Sequence, residues 1–144
     1  MNITLSKVTR DNYEEVCELE VAKDQEEYVA ENTWSLVQAS FNPSYETRAI
    51  CLDGKPVGFF MWVPEPDGAQ SIWRFMVDRQ YQNKGIGRRA LEIALEEIKA
   101  VGLKRILILY DPKNAVARDF YASFGFIEIG MDEDIDEMLA EITI

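Results

Sequence analysis

The spacing of apolar residues along the chain follows two periods, and these predict where strands and helices lie. Short apolar segments bounded by turn residues indicate strands, whereas apolar residues three or four positions apart indicate helices. Strands are predicted at 3–8, 47–52, 56–63, 71–77, 105–109, 126–131 and 137–144. Helices are predicted from a cap at Thr9 or Asp11 to about Glu20, once or twice within 24–41, and at 85–101 and 114–124. The order β-α-α-β-β-β-α-β-α-β-β predicts one domain over 1–144 of the α/β (α+β) class, in which helices flank a mixed sheet.

Turn and cap residues support these boundaries. Asp53-Gly54 joins two apolar segments and is a strong β-hairpin signal. Asn32 is predicted to cap a helix over 33–41, because an Asn side chain can accept a hydrogen bond from a first-turn amide. Gly102 and Gly125 follow the two long helical patterns and are expected to end those helices.

The composition is that of a globular protein with an acidic surface. Of 144 residues, 26 are acidic and 15 basic, which gives a net charge of −11. This balance argues against a nucleic-acid ligand, which requires a basic surface. No apolar segment is long enough to span a bilayer and the first residues lack a signal-peptide core, so a cytoplasmic protein without membrane partners is expected. Two interpretations of the charge stay open: solubility alone, or attraction of a small cationic substrate.

Histidine is absent from the chain. This excludes histidine-based zinc sites, histidine general bases and Ser-His-Asp triads. Cys17 and Cys51 lie in apolar patterns without metal-ligand spacing, so we interpret them as buried, reduced side chains. No metal site is predicted.

A glycine-containing segment, Gln-Asn-Lys-Gly-Ile-Gly at 82–87, connects a predicted strand to the longest predicted helix. The first turn of a helix has unpaired amides and carries the positive end of the helix dipole, so it favours an anion such as phosphate. The glycines at 85 and 87 let an anion approach the main chain closely. Positive charge is added by Lys84, Arg88 and Arg89. The segment therefore predicts a site for a phosphate-bearing ligand.

Two familiar phosphate-binding loops do not fit this segment. A Walker loop requires Ser or Thr directly after its lysine, and Lys84 is followed by glycine. A dinucleotide-binding fingerprint belongs to a βαβ unit with an acidic residue about 20 positions further on. Here three strands predicted to be antiparallel come first, and the neighbourhood of position 107 is an apolar strand.

The element order, with Gln82-x-x-Gly85-x-Gly87 after the fourth strand, resembles the GNAT N-acetyltransferase superfamily over essentially the whole chain. A second motif after the fifth strand supports the resemblance independently: Asn114-x-x-Ala117-x-x-x-Tyr121-x-x-x-Gly125-Phe126. The resemblance implies a GNAT-like, mostly antiparallel sheet of about seven strands. It also implies an enzyme that uses acetyl-CoA as its co-substrate.

Two further segments are similar to the polyamine (spermine/spermidine or diamine) acetyltransferase subgroup. One is Gln25-x-x-Tyr28-Val29-Ala30-x-Asn32, followed by Ser35-Leu36 and Gln38-Ala39. The other is the strand sequence Ile-Trp-Arg-Phe-Met-Val-Asp at 72–78. This similarity implies a small amine substrate that Gln25, Tyr28 and Asn32 contact. Ordinary helix-surface and cap roles for these three residues remain an equal interpretation.

The resemblance also implies roles for individual residues. The main chain of Phe75, Met76 and Val77 would pair with the pantetheine arm as an added strand, and a β-bulge with the Val77 amide would polarise the thioester carbonyl. Asn114 would hydrogen-bond the cofactor, and Tyr121 would protonate the departing thiolate. The pyrophosphate would be held by the segment Gln82, Asn83, Lys84, Gly85, Ile86, Gly87, Arg88 and Arg89.

Acetyl transfer to an amine also requires a proton acceptor. An alkyl amine with a pKa of about 10.4 is mostly charged at pH 7, and its deprotonation then costs about 4.6 kcal/mol. A carboxylate can take this proton, directly or through water. The candidates by position are Glu26, Glu27, Glu31, Asp132, Glu133 and Asp134.

Structural roles are the alternative for each of these residues. Tyr121 has core-type neighbours at helical spacing, and Asn114 is also a plausible helix N-cap. Arg74 is interpreted as a member of a structural ion pair rather than a substrate contact. The acidic segment 132–136 has the composition of a solvated turn.

Three functions are compatible with the sequence. The first is acetyl transfer from acetyl-CoA to a small-molecule polyamine or diamine. The second is the same reaction on a protein or peptide N-terminus or lysine, and the third is a non-catalytic acyl-CoA-binding domain. The acidic balance favours the first over the second. A homodimer is compatible with all three.

Overall fold

The computed structural model describes residues 2–144 and confirms the predicted order of elements. Its strands are β1 Ile3–Lys7, β2 Glu46–Leu52, β3 Lys55–Pro64, β4 Gln70–Val77, β5 Arg105–Tyr110, β6 Ile127–Asp132 and β7 Glu137–Thr143. Its helices are α1 Tyr13–Glu18, α2 Asn32–Ser40, α3 Ile86–Ala100 and α4 Ala115–Phe124. Short 3₁₀ turns lie at Lys23–Gln25 and Arg79–Tyr81. No helix within residues 2–144 has the length and apolar character needed to cross a bilayer.

The strands form one sheet in the order β1-β2-β3-β4-β5-β7-β6. Neighbouring strands run antiparallel except β4 and β5, which are parallel. The β2–β3 hairpin turns at Asp53 and Gly54, both with positive φ (49° and 84°), as a tight primed turn requires. A mixed, mostly antiparallel sheet of seven strands is thus confirmed.

The parallel pairing between β4 and β5 is short, and this shapes the middle of the sheet. Only residues 70–72 of β4 pair with residues 106–108 of β5. β4 nevertheless continues to Val77 and stays paired with β3 on its other side. The two strands therefore separate at their carboxyl ends, and residues 73–77 have no strand partner on the β5 side.

Two hydrophobic clusters cover the two faces of the sheet. Consecutive strand residues point to opposite faces, and Phe59 and Phe60, both fully buried, belong to different clusters. The Phe60 cluster contains the apolar side of α3, including Leu91 and Ile98. The Phe59 cluster contains Val16 of α1. Helices α3 and α1 thus pack on opposite faces of the sheet.

The predicted cap role of Asn32 is wrong. Glu31 precedes the helix, and Asn32 is its first residue. The Asn32 side chain is buried and donates from Nδ2 to the Val16 carbonyl at 2.8 Å, with Met76 Sδ at 3.7 Å. Because a buried amide must be hydrogen-bonded, Asn32 ties the start of α2 to α1 and β4.

Gly58 on β3 packs against the main chain of β4, and we expect Gly58→Ala to destabilise the fold. A Cβ at this position would lie 2.6 Å from the Met76 carbonyl oxygen and 3.0 Å from Ile50 Cδ1. Overpacking of this kind costs about 1–3 kcal/mol. Urea unfolding followed by circular dichroism measures the loss. Gly87→Ala is the matched control because its Cβ meets no atom closer than 3.6 Å, and equal stability of the two variants would contradict the prediction.

Candidate active site

A cavity of about 580 Å³ occupies the space where β4 and β5 separate. Its walls come from β4, from the loop before α3, from the end of β5, from α4, and from the segment between α1 and α2. Among the predicted site residues, those that line it are Gln25, Tyr28, Phe75, Met76, Val77, Gln82, Asn83, Gly85, Gly87, Arg88, Asn114 and Tyr121. Asn32, Lys84, Ile86 and Arg89 do not line it.

The edge of β4 that faces the cavity carries free main-chain groups. The Asp78 amide donates to the Val57 carbonyl on β3 at 2.7 Å. Successive residues of a strand direct their polar groups to opposite sides, so the Val77 amide points away from β3. The Val77 carbonyl accordingly accepts a hydrogen bond from Gln82 Nε2 at 3.0 Å. By the same alternation the main chain of Phe75 faces the cavity, whereas that of Met76 faces β3.

An irregularity in β4 precedes this edge. The register with β3 shifts between Met61 and Trp62, and Trp73 on β4 is left without a partner. An extra residue of this kind bends a strand and increases its twist. The bulge implied by the family resemblance was expected at residues 75–77, and the irregularity lies instead at Trp73, two residues before Phe75.

The loop before α3 exposes amides to the same cavity. Asn83 and Gly85 have φ of 62° and 80°, the left-handed region that turns the chain sharply into the helix. No side chain caps α3, and its first intrahelical bond runs from the Arg89 amide to the Gly85 carbonyl at 3.1 Å. The amides of residues 86–88 thus have no intrahelical acceptor, which makes this end of α3 suited to an anion.

Asp78, which the sequence analysis did not single out, fixes the start of this loop. It is largely buried, and its carboxylate accepts from the amides of Glu20 at 2.9 Å and Gln80 at 3.1 Å. The Arg79 amide donates to the Glu20 carbonyl at 2.8 Å. These bonds join the loop to Glu20, just after α1, so two segments that are remote in sequence hold the loop in place. The position of Asp78 directly after a strand and before a turn was the sequence signal that could have identified this role.

The basic side chains near the loop are directed elsewhere. Arg89 pairs with Glu92 at 3.2 Å on the helix surface, and the Lys84 ammonium lies 5.7 Å from the Tyr81 ring centre. Arg88 Nη2 donates to Ser123 Oγ on α4 at 2.5 Å. Of these three side chains, only Arg88 lines the cavity. The loop therefore offers an anion mainly backbone amides.

Asn114 caps a helix and also lines the cavity. It is buried, and its Oδ1 accepts from the Ala117 amide at 3.2 Å, so it caps α4 as the alternative interpretation predicted. It also lines the cavity beside the end of β5. Its side-chain amide nitrogen remains available as a donor.

Tyr121 lies on α4 within an aromatic group at the centre of the cavity wall. Its ring lies 6.0 Å from that of Tyr110 and 5.7 Å from that of Phe126. Burial raises the pKa of Tyr121 well above its ordinary value. The phenol is protonated at neutral pH, as an ordinary tyrosine is, and its hydroxyl can act as a hydrogen-bond donor. Burial and then the Glu128 carboxylate raise the pKa of Tyr110 to about 12.

Arg74 lines the part of the cavity opposite the α3 loop, and the ion pair expected for it is wrong. It makes no salt bridge within residues 2–144. Its terminal nitrogens instead donate to the Gln38 side chain at 3.1 Å and to the Trp73 carbonyl at 3.2 Å. Its buried Nε has no hydrogen-bond partner among the described residues. Burial lowers the Arg74 pKa, an effect that Glu137 partly offsets.

Two carboxylates that the sequence analysis missed line this end of the cavity. Asp111 follows β5 directly, and Glu137 begins β7. Burial raises the pKa of Glu137, against a smaller lowering by Arg74. The six carboxylates predicted by position do not line this cavity, and Glu26 and Glu31 line a neighbouring one. Within residues 2–144 no three metal-ligand side chains are grouped closely enough to hold an ion.

One signal in the sequence pointed to Asp111. It lies at the carboxyl end of the strand predicted to be parallel, at the same sheet edge as the α3 loop. Ligands of open sheets bind outside such strand ends. No local signal identified Glu137, because its place depends on the pairing of β7 with β5.

Comparison with known proteins agrees with this geometry. The model of the acetyltransferase (GNAT) family matches residues 10–126. A spermine/spermidine N(1)-acetyltransferase of Bacillus subtilis (strain 168) is 30% identical over an alignment of 134 residues, and the match covers 88% of each chain.

Solved structures share the whole fold at low identity. The PaiA N-acetyltransferase from Thermoplasma acidophilum, in complex with coenzyme A, is 18% identical with a TM-score of 0.74 and full coverage of both chains. The ribosomal-protein-S18-alanine N-acetyltransferase from Escherichia coli is 19% identical with a TM-score of 0.76. That similarity covers 99% of this chain and 94% of the other.

Gly85→Asp is expected to abolish acetyl-CoA binding while leaving the protein folded. A side chain at Gly85 meets no atom within 4 Å, and Asp and Asn both tolerate a left-handed backbone. Asp adds negative charge where a phosphate would lie, whereas Gly85→Asn is a matched control without that charge. Titration calorimetry with acetyl-CoA compares the two variants, and wild-type affinity of a folded Gly85→Asp protein would exclude this loop as the phosphate site.

Proposed function

The chain belongs to the acetyltransferase (GNAT) family, and on this premise we propose that it transfers the acetyl group of acetyl-CoA to a primary amine of a small polyamine or diamine. The observation that carries the proposal is that groups of opposite character line one cavity. Unpaired amides at the start of α3 line part of it. Asp111 and Glu137, each close enough to influence the other's charge, also line it, and the part around them is called the acceptor end.

The cavity fits a long acyl-thioester with a phosphate-bearing end. The amides of residues 86–88 would hold the pyrophosphate. The main chain of Phe75 and the amide of Val77 would pair with the amide groups of the pantetheine arm, as an added strand pairs with a sheet edge. Asn114 on the opposite wall would donate to the same arm.

Chemistry would then take place between β4 and α4. The Val77 amide, free on the cavity side, would stabilise the charge that develops on the thioester oxygen. Tyr121, whose phenol is protonated at neutral pH, would donate its proton to the departing thiolate. Direct attack by the amine needs no side-chain nucleophile. The chain has no histidine and therefore no Ser-His-Asp triad, and this mechanism does not require one.

Charge and similarity both favour a polycationic acceptor. The net charge of −11 attracts cations to the protein as a whole. Gln25 and Tyr28 line the acceptor end together with the two carboxylates. The relative from Bacillus subtilis that covers 88% of this chain is named for spermine and spermidine.

Arg74 is the observation that favours a second acceptor class. A partly buried guanidinium that makes no salt bridge within residues 2–144 is suited to an acceptor that also bears a carboxylate, such as a peptide or an amino acid. One of the structural relatives is named as an acetyltransferase of a ribosomal protein. Release of free thiol from acetyl-CoA across a panel of polyamines, monoamines, amino acids and short peptides separates the two classes.

Tyr121→Phe is expected to lower turnover by roughly 10²–10⁴-fold, the range typical of a positioned acid. The substitution removes only a hydroxyl, so acetyl-CoA affinity and stability should stay near those of the wild type. Tyr110→Phe is the matched control, because Tyr110 belongs to the same aromatic group but is associated with Glu128. Turnover is measured at saturating acetyl-CoA under conditions where chemistry limits the rate. Wild-type turnover of Tyr121→Phe there would leave Tyr121 a packing role only.

A diamine is expected to react with a higher kcat/KM than a monoamine of the same length, because its second ammonium is held by carboxylates. Added salt should reduce this advantage through screening. The measurement is thiol release with both amines at low and high ionic strength. Equal kcat/KM values at low ionic strength would contradict the polycation preference and leave the acetyltransferase assignment in place.

A further inference from the structure

We propose that Glu137 accepts the proton of the reacting ammonium group and that Asp111 binds the second ammonium of the acceptor. This inference rests on the proposed function and assigns the proton acceptor that acetyl transfer to an amine requires. The carboxylates expected from sequence position lie outside the cavity, whereas Asp111 and Glu137 line it.

The strand register places Glu137 on the face of the sheet opposite Tyr121. Tyr110 on β5 pairs with Met138 on β7, and the Tyr110 ring stacks against Tyr121. All three residues belong to the Phe60 cluster or pack against it. Side chains alternate along a strand, so Glu137 faces the other side of the sheet. That side carries the Phe59 cluster, against which Val29, the neighbour of Tyr28, packs. Glu137 and Tyr121 therefore line the same cavity from opposite faces.

Neither carboxylate is neutralised within residues 2–144. No salt bridge includes Asp111 or Glu137. Asp111 accepts one hydrogen bond, from the Lys113 amide at 2.8 Å, and this holds its carboxylate in place. Both groups thus keep acceptor capacity for an ammonium ligand.

Charged groups from three elements face Glu137. Arg74 lies on β4, Asp111 follows β5, and Asp132 is its direct cross-strand partner on β6. Burial raises the pKa of Glu137 most, Arg74 lowers it, and the two carboxylates raise it further. Glu137 therefore binds a proton more readily than an ordinary glutamate. This suits an acceptor that works near neutral pH.

Glu137 and Tyr121 together account for every proton that is transferred in the reaction. One proton of the ammonium passes to a Glu137 carboxylate oxygen, and the neutral nitrogen forms the C–N bond to the acetyl carbon. The C–S bond breaks, and the sulfur takes the phenolic proton of Tyr121. The second nitrogen proton restores Tyr121, while Glu137 releases its proton to solvent at the cavity mouth. No oxidant or reductant is needed.

The test is the pH profile of kcat/KM with a diamine for the wild type and Glu137→Gln. Glu137→Gln keeps the side-chain shape, and we expect kcat/KM at pH 7 to fall by roughly 10²–10⁴-fold. The deficit should shrink as the pH approaches the pKa of the amine, because neutral amine then needs no proton acceptor. A purely structural role would give a deficit that does not change with pH. Glu137→Asp, which retains a carboxylate, should keep the acid limb of the wild-type profile.

Two further variants complete the experiment. Glu96→Gln removes the same charge from the exposed side of α3 and should leave the profile unchanged. Asp111→Asn should raise KM for the diamine, but not for the monoamine of the same length, with kcat retained. Acetyl-CoA affinity should match that of the wild type in every variant.

The outcomes separate this inference from the proposed function. A wild-type pH profile for Glu137→Gln, or an equal loss in Glu96→Gln, overturns the role of Glu137. An unchanged diamine KM in Asp111→Asn overturns the role of Asp111. If the wild type releases no thiol with any amine, the proposed function itself fails, and this inference fails with it.

Discussion

The early end of pairing between β4 and β5 is the constraint on which the site depends. Main-chain amides and carbonyls inside a protein need partners, yet residues 73–77 of β4 face the cavity without a strand beside them. On its other side β4 pairs with β3, with the bulge at Trp73 and with Gly58 packed against the Met76 carbonyl. This pairing holds the unpaired edge of β4 toward the cavity. In the proposed function, a ligand with its own amide groups would pair with this edge as an eighth strand would.

Under the proposed function, one cavity receives two ligands of opposite sign. The proposed phosphate site consists of backbone amides, whose charge does not titrate, while Lys84 and Arg89 lie outside the cavity. An acidic protein can therefore keep a site for anions without building a basic surface that would repel a cationic acceptor. Asp78 makes this arrangement rigid, because its hydrogen bonds join the loop to the end of α1.

Features encoded within a few residues could be predicted from the sequence. The Asp53-Gly54 turn, the start of α3 after Gly85 and the end of α4 at Gly125 each depend on local backbone conformation. The roles of Asn32 and Glu137 could not be predicted, because each depends on contacts between remote elements. Asn32 resembles a cap in sequence, but α1 and β4 supply its partners. Most residues that the family resemblance implied for either ligand line the cavity, whereas Lys84, Ile86, Arg89 and Asn32 do not.

Arg74 explains why the acceptor end needs two carboxylates rather than one. Its guanidinium is bound by Gln38 and the Trp73 carbonyl, so it stays near the cavity and favours the charged form of Glu137. Burial acts in the opposite direction and dominates. If Glu137 were the only carboxylate at this end, its negative charge would cancel the positive charge of Arg74, and the end would have no net charge. With Asp111 as well, one negative charge persists while Glu137 is ionised, and a cationic acceptor is still attracted before its proton is transferred.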